Sequence, residues 1–170
     1  ATAIPEEYGG LGLGYLELCV IAEELGRSLA PTPFSSSVYL ATEAILNGND
    51  ESAKESYLPG LASGEKIGSF AHSESNTSPT EANITCSYQD GKLSGTKIAV
   101  VDGDIANFFV VSAKNGSSVG LYLVDASSEG VAVTEQSTLD PSRSHASVTF
   151  DKTPCTELKS DWSDVLNLLD

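Results

Sequence analysis

The chain has 170 residues, of which 24 are acidic and 9 are Lys or Arg, so its formal net charge is -15. That length suffices for one compact domain or two small ones, and the negative charge argues against nucleic acid and against anionic membranes as partners. Hydrophobic residues make up 40% of the chain, which predicts a folded protein, yet no apolar run approaches the roughly 20 residues that span a bilayer.

The cysteines indicate a reducing environment. Cys19, Cys86 and Cys155 are odd in number and far apart, which predicts neither a disulfide framework nor a metal site. No basic and apolar leader opens the sequence, so we expect a cytoplasmic protein.

Helical periodicity dominates the first sixty residues. Apolar residues recur at near-helical spacing on Leu16, Cys19, Val20, Leu25 and Leu29, which predicts an amphipathic first helix. Proline and glycine then mark helix ends, because proline lacks a backbone donor and glycine tolerates a left-handed conformation. The predicted helices cover residues 14–29, 38–46 and 51–58, and the residues that end them are Pro31 with Pro33, Gly48, and Pro59 with Gly60.

After Gly64 the pattern changes to the alternation of β-strands. Asp90-Gly91 supplies the positive φ angles of a tight hairpin. Many short antiparallel strands with no helices between them favour a closed barrel or a sandwich. The predicted strands are residues 66–73, 84–88, 92–95, 98–101, 108–113, 119–125, 131–135 and 146–151.

The sequence ends inside a further predicted helix. Trp162, Leu166 and Leu169 recur at helical spacing after hydroxyl and carboxylate caps at positions 160 and 161. We expect that apolar face to be buried by a C-terminal helical part that this sequence does not contain.

Several segments closely resemble acyl-CoA dehydrogenases. The segments are IPEEYGGLG at residues 4–12, IAEELGR at 21–27, YLPGLASGE at 57–65, FAHSE at 70–74 and GTK at 95–97. The resemblance covers essentially the whole chain and implies an α+β fold, in which N-terminal helices precede an antiparallel β-barrel and a C-terminal helical domain. On that plan we expect the helical domain at 1–63, the barrel at 64–156 and the start of the last domain at 157–170.

The resemblance also implies the chemistry, which is FAD-dependent α,β-dehydrogenation of an acyl-CoA thioester by a homo- or hetero-oligomer. A flavin is needed because no amino-acid side chain accepts a hydride. The family's catalytic base, usually Glu, lies in the C-terminal domain, so no catalytic residue is assigned here. Glu74 matches a glutamate whose usual work in the family is structural.

The flavin-contacting positions that the resemblance implies are Phe70, His72 and Ser73, with Ser73 standing where the family usually has Thr. The sequence departs from the family at residues 75–80, which lack its Gly-Ser-Asp. It departs again at Ala99, where an aromatic usually flanks the flavin, and at Val101, where a hydroxyl usually hydrogen-bonds near the reacting nitrogen.

Three hypotheses follow. The first is an FAD-dependent acyl-CoA dehydrogenase whose present portion is inactive alone. The second is a non-catalytic, flavin-poor partner subunit of a heteromeric acyl-CoA dehydrogenase, as in the steroid-degrading type. The third is a structural fragment without activity of its own.

Overall fold

Helices precede strands, and a further helix follows them, in the computed structural model, which describes residues 1–77, 80–140, 142–160 and 162–169. The helices are α1 (Tyr15–Arg27), a π-helical segment (Phe34–Ala41), α2 (Thr42–Asn47), α3 (Glu51–Ser63) and α4 (Trp162–Leu169), with 3-10 turns at Glu6–Tyr8 and Glu81–Asn83. The strands are β1 (Gly68–Ala71), β2 (Ser87–Gln89), β3 (Lys92–Val101), β4 (Phe108–Asn115), β5 (Ser118–Asp125), β6 (Val131–Gln136), β7 (His145–Pro154) and β8 (Thr156–Glu157). Within these ranges no helix combines the length and the hydropathy that crossing a bilayer requires.

Two helix ends differ from the prediction. Pro59 does not stop α3, which continues to Ser63 and ends where Gly64 adopts a left-handed φ of 79°. The missing N–H of Pro59 leaves the Glu55 carbonyl without its helical donor, but both residues are exposed, so water can hydrogen-bond that carbonyl and the helix tolerates the proline. The second helix begins earlier than predicted, directly after Pro33, and its first eight residues are π-helical.

The hairpin at Asp90-Gly91 is confirmed, and it positions the centre of the sheet. Asp90 and Gly91 have φ angles of 50° and 78°, and Gln89 pairs with Lys92 across the turn. β3 is one continuous strand where the sequence suggested two.

The eight strands form one mixed sheet in the order β6-β7-β3-β2-β4-β5-β8, with β1 added beside β4. The predicted antiparallel barrel needs correction here on two points. β1 runs parallel to β4, because the β2-β3 hairpin intervenes in the sequence and lets the chain return in the same direction. In the described residues β6 and β8 end the sheet without pairing to each other, so the sheet is not closed.

Alternate residues of β4 supply two separate cores. Phe108 and Val110 face the helices and pack with buried residues of α2, α3 and β5. Phe109 and Val111 face the opposite side and pack with buried residues of β3, β5 and β7. The period-two alternation of a strand therefore joins the helices to the sheet.

The predicted apolar face of α1 remains largely uncovered in the described residues. Leu18 is the buried residue of this helix, whereas Leu16 and Val20 are exposed. In α4, Trp162 packs against the helix-facing core, and Leu166 is 44% exposed. The predicted burial of Leu169 lies outside what the structure describes, as do the side chains of residues 165 and 168.

Candidate functional site

The end of β1 lies beside the middle of β3. Phe70 belongs to β1, and His72 and Ser73 follow it directly. The Ile98 N–H donates to the Ser73 carbonyl at 2.8 Å, and the Ser69 hydroxyl donates to the Val101 carbonyl at 2.7 Å. The two segments that the family resemblance implicates in flavin contact are therefore neighbours at one edge of the fold.

A β-bulge shapes β3 at this edge. Between Lys97 and Val100 the register against β7 shifts, and Ala99 adopts a φ of 52°. The Ala99 side chain is exposed, and its N–H donates to Gln136 Oε1 at 2.9 Å. Bulges re-aim side chains next to functional sites, but here the re-aimed residue is Ala, which offers no ring to stack.

The segment after Glu74 is the other departure from the family pattern. Ser75 and Thr77 are exposed, and their hydroxyl oxygens lie 2.7 Å apart. Ser78 and Pro79, which fall where the Gly-Ser-Asp is missing, lie outside the described residues.

His72 is buried between two aromatic rings. Its ring centroid lies 5.6 Å from that of Phe70 and 5.8 Å from that of Trp162, both in stacked orientation. Its Nδ1 lies 2.8 Å from the hydroxyl oxygen of Ser112 on β4. This sequence-predicted site residue thus packs under α4 and does not project into solvent.

The hydrogen bonds around Ser112 determine the tautomer of His72. Lys97 Nζ donates to Ser112 Oγ at 3.1 Å. The described structure gives the Ser112 hydroxyl no acceptor other than His72 Nδ1, so that hydroxyl donates to Nδ1 and the ring hydrogen resides on Nε2. Nε2 is buried and has no hydrogen-bond partner among the described residues.

Beneath the edge lies a buried ion pair between Lys97 and Glu74. The Lys97 side chain is 0% exposed, and its Nζ lies 2.7 Å from Glu74 Oε1. Glu74 also accepts the backbone N–H groups of Thr85 at 2.7 Å and Cys86 at 3.0 Å, and the Thr85 hydroxyl. A carboxylate with this many donors fixes the loop before β2 against β3, which is the structural role that the resemblance implied for Glu74.

Burial and charge perturb three pKa values in this cluster. Burial lowers the pKa of His72 to about 4, and the Lys97 charge adds to that effect while Glu74 opposes it. Burial also lowers the pKa of Lys97. Burial raises the pKa of Glu74, but the hydrogen bonds from Lys97, Thr85 and Cys86 outweigh it and hold the pKa below its ordinary value.

We expect acid to destabilise the fold through His72. The folded state binds this proton more weakly than the unfolded state, so the stability contributed by neutral His72 is complete above about pH 6.5 and is lost as the pH falls towards 4. Over that window the wild-type chain should lose roughly 3 kcal/mol more unfolding free energy than His72→Gln. Urea unfolding at several pH values measures the difference.

His145→Gln is the matched control for that experiment, because the half-buried His145 is the other histidine of the chain. This substitution removes an imidazole outside the His72, Lys97 and Glu74 cluster, so it shows how much of any change in the pH profile comes from losing a histidine as such. If the unfolding free energies of the wild type and of His72→Gln change with pH in parallel, the lowered pKa of His72 is contradicted.

A second cluster, which the sequence did not predict as a unit, joins the helices to the sheet. Asp102 accepts from Arg143 Nη2 at 2.7 Å and from the Ser36 hydroxyl of the π-helical segment. Arg143 Nη2 also donates to the Ser35 hydroxyl at 2.9 Å. Arg143 therefore ties the π-helical segment to the end of β3 and serves the fold.

One signal for the buried Lys97 was present in the sequence. Leu93, Gly95 and Lys97 share one face of a strand because side chains alternate, and Leu93 points inward. Dividing β3 at Gly95 concealed that relation.

The remaining chemistry-bearing side chains are scattered. In the described ranges no three His, Cys, Asp or Glu side chains come together in a group that could hold a metal ion. All three cysteines are free, and burial raises the pKa of Cys86 to about 11, so its thiol is protonated at neutral pH.

Comparison with known proteins identifies the family. Residues 1–65 match the family described as acyl-CoA dehydrogenase, N-terminal domain. Mitochondrial isovaleryl-CoA dehydrogenase of Arabidopsis thaliana is 37% identical over 122 residues, which cover 68% of this chain and 30% of that protein. This chain belongs to the acyl-CoA dehydrogenase family. It spans about a third of the length of the curated family members that it matches.

Two solved structures of the family extend the similarity over nearly the whole chain. The Tcur3481-Tcur3483 steroid ACAD G363A variant superposes with a TM-score of 0.85 at 30% identity, over 99% of this chain and 46% of that one. The ChsE4-ChsE5 complex from Mycobacterium tuberculosis gives a TM-score of 0.82 at 26% identity, over 98% of this chain and 46% of that one. The order of helices and sheet is therefore that of acyl-CoA dehydrogenases.

Proposed function

We propose that this chain forms the helical and β-sheet part of an FAD-dependent acyl-CoA dehydrogenase that acts on an acyl-CoA thioester. The observation that carries the proposal is the contact between the end of β1 and the bulged middle of β3, held by the hydrogen bond from Ile98 to Ser73. It joins the two segments that the family resemblance implicates in flavin binding. The division at residues 63/64 and 156/157 into family domains is part of this proposal.

The residues present fit the flavin in part. Ser73 is half-buried and carries a hydroxyl donor like the Thr usual at its position, and it follows directly on Phe70 and the buried His72. When bound, FAD supplies the hydride acceptor that the reaction needs. Ser73 would hydrogen-bond the ring, whereas Ala99 leaves one ring face without a stacking partner and Val101 offers no side-chain donor.

These two positions favour a second candidate, a non-catalytic, flavin-poor partner subunit of a heteromeric acyl-CoA dehydrogenase. The similarity to the ChsE4-ChsE5 complex supports it, since that structure contains two different chains. In this alternative a partner chain holds the flavin and this chain contributes the scaffold.

We expect the 170-residue chain to have no dehydrogenase activity, because the carboxylate that removes the α proton belongs to the family's C-terminal domain. The assay is reduction of an artificial electron acceptor with added FAD and a panel of acyl-CoA thioesters. Turnover by the purified chain would contradict this expectation. Flavin absorbance after dialysis of the complete protein distinguishes the two candidates, since the partner subunit would retain none.

A further inference from the structure

The strands β1 and β3 lie side by side without forming a ladder. In the described residues β1 pairs with β4, whereas β3 pairs with β2 and β7. The bulge at Ala99 accounts for this, because a bulge bends its strand, increases the local twist and interrupts regular pairing. The two segments that the family resemblance implicates in flavin contact are therefore held together by individual hydrogen bonds.

Those hydrogen bonds lie at the two ends of the contact. At one end, Ile98 donates its N–H to the Ser73 carbonyl at 2.8 Å, and Lys97 Nζ donates to the preceding carbonyl at 3.1 Å. At the other end, the Ser69 hydroxyl donates to the Val101 carbonyl at 2.7 Å. The Ser69 hydroxyl thus serves where a regular ladder would use a backbone donor.

Burial makes the hydrogen bond from Ser69 hard to replace. The residue is 0% exposed, and the space that a single hydroxyl leaves behind is too small to hold a water molecule. Without Ser69 the Val101 carbonyl loses this donor, which favours movement of β1 away from β3. Ser69 is too deeply buried to touch a ligand, so its effect on one passes through its neighbours.

We propose that Ser69 is a positioning residue for flavin binding. Its hydroxyl fixes β1 relative to Val101 and so sets the spacing between Ser73 and position 101. These are the two positions at which the family usually hydrogen-bonds the flavin. The inference rests on the proposed function for the flavin itself, whereas the tether between the strands is testable without it.

Ser69→Ala tests the tether through amide hydrogen exchange of the flavin-free protein. We expect exchange of the Ile98 N–H to accelerate about tenfold, because one buried hydrogen bond is worth a factor of that order. Amides of the ladder between β4 and β5 should change much less. A general loss of stability would instead accelerate both sets of amides alike.

Ser147→Ala is the matched control. Ser147 also donates its hydroxyl to a carbonyl of β3, that of Lys97, at 3.2 Å. It lies on β7, however, which a ladder already joins to β3, so its loss should leave the exchange of Ile98 unchanged. Urea unfolding shows how much stability each variant retains.

The flavin measurement starts from a parent protein with Ala99→Trp and Val101→Thr, since these substitutions supply the missing ring and hydroxyl. Adding Ser69→Ala to this parent should weaken FAD binding about tenfold, as measured by quenching of FAD fluorescence. Adding Ser147→Ala should leave the dissociation constant unchanged.

The inference is overturned if Ser69→Ala leaves the exchange of Ile98 or the affinity for FAD unchanged. It is equally overturned if the β4–β5 amides accelerate as much as Ile98, or if Ser147→Ala weakens FAD binding to the same extent. Faster exchange at Ile98 without any flavin binding by the parent protein would uphold the tether and contradict the proposed function.

Discussion

Lys97→Met should lower the free energy of unfolding by about 3 to 5 kcal/mol, which is a large part of the stability of a domain of this size. Lys97 Nζ donates to Glu74, to Ser112 and to the His72 carbonyl. Removing the ammonium leaves the Glu74 carboxylate 8% exposed and without its counter-charge. Urea unfolding at pH 7 measures the loss.

The chain provides a matched control in Lys54→Met. Lys54 lies 2.8 Å from Glu51, nearly the same distance as in the buried pair, but the Glu51 side chain is 71% exposed. Water screens that pair, so its loss should lower the free energy of unfolding far less than loss of the buried pair does. Lys97→Met with Glu74→Gln should recover part of the loss, because Gln remains an acceptor for Thr85 and Cys86. If the two Lys→Met substitutions lower the free energy of unfolding equally, burial of the Lys97–Glu74 pair does not explain the loss.

Ala99→Trp combined with Val101→Thr should raise the affinity of the protein for FAD about tenfold or more. An aromatic contact and a neutral hydrogen bond are each worth roughly 0.5 to 1.5 kcal/mol, and tenfold corresponds to about 1.4 kcal/mol. Ala99 is exposed at the bulge, so a larger side chain has room to point outward. Quenching of FAD fluorescence gives the dissociation constants.

Val133→Trp controls for a new exposed indole, since Val133 lies on the outer strand β6 and is 40% exposed. It should leave flavin affinity unchanged. Stoichiometric flavin retained by the wild-type protein after extensive dialysis would show that Ala99 and Val101 do not limit binding, and the flavin-poor alternative would then lose its support.

Local signals predicted much of the fold. The Asp90-Gly91 turn specifies its own backbone angles and hence the pairing of β2 with β3. The helix α1 could also be predicted from local sequence, because its bounds follow from its hydrophobic periodicity and its flanking residues. The change from helices to strands near Gly64 was equally visible, because the two periods differ.

Features that depend on distant contacts could not be predicted. The passage of α3 beyond Pro59 depends on which face of that helix meets water. The parallel pairing of β1 with β4 joins residues forty positions apart, such as Gly68 and Phe108. In the candidate site, the family resemblance supplied Phe70, His72 and Ser73, but the burial of His72 under Trp162 required the tertiary structure.

The contribution of β4 to both hydrophobic cores affects how this molecule unfolds. Neighbouring residues of this strand belong to the helix-facing core and to the opposite core. Disruption of either core therefore exposes one face of β4 to solvent. Loss of either core thereby weakens the strand on which the other is built. We therefore expect the helices and the sheet, which the proposed domain plan divides at residues 63/64, to unfold as a single cooperative unit, so that a destabilising substitution in one core also destabilises the other.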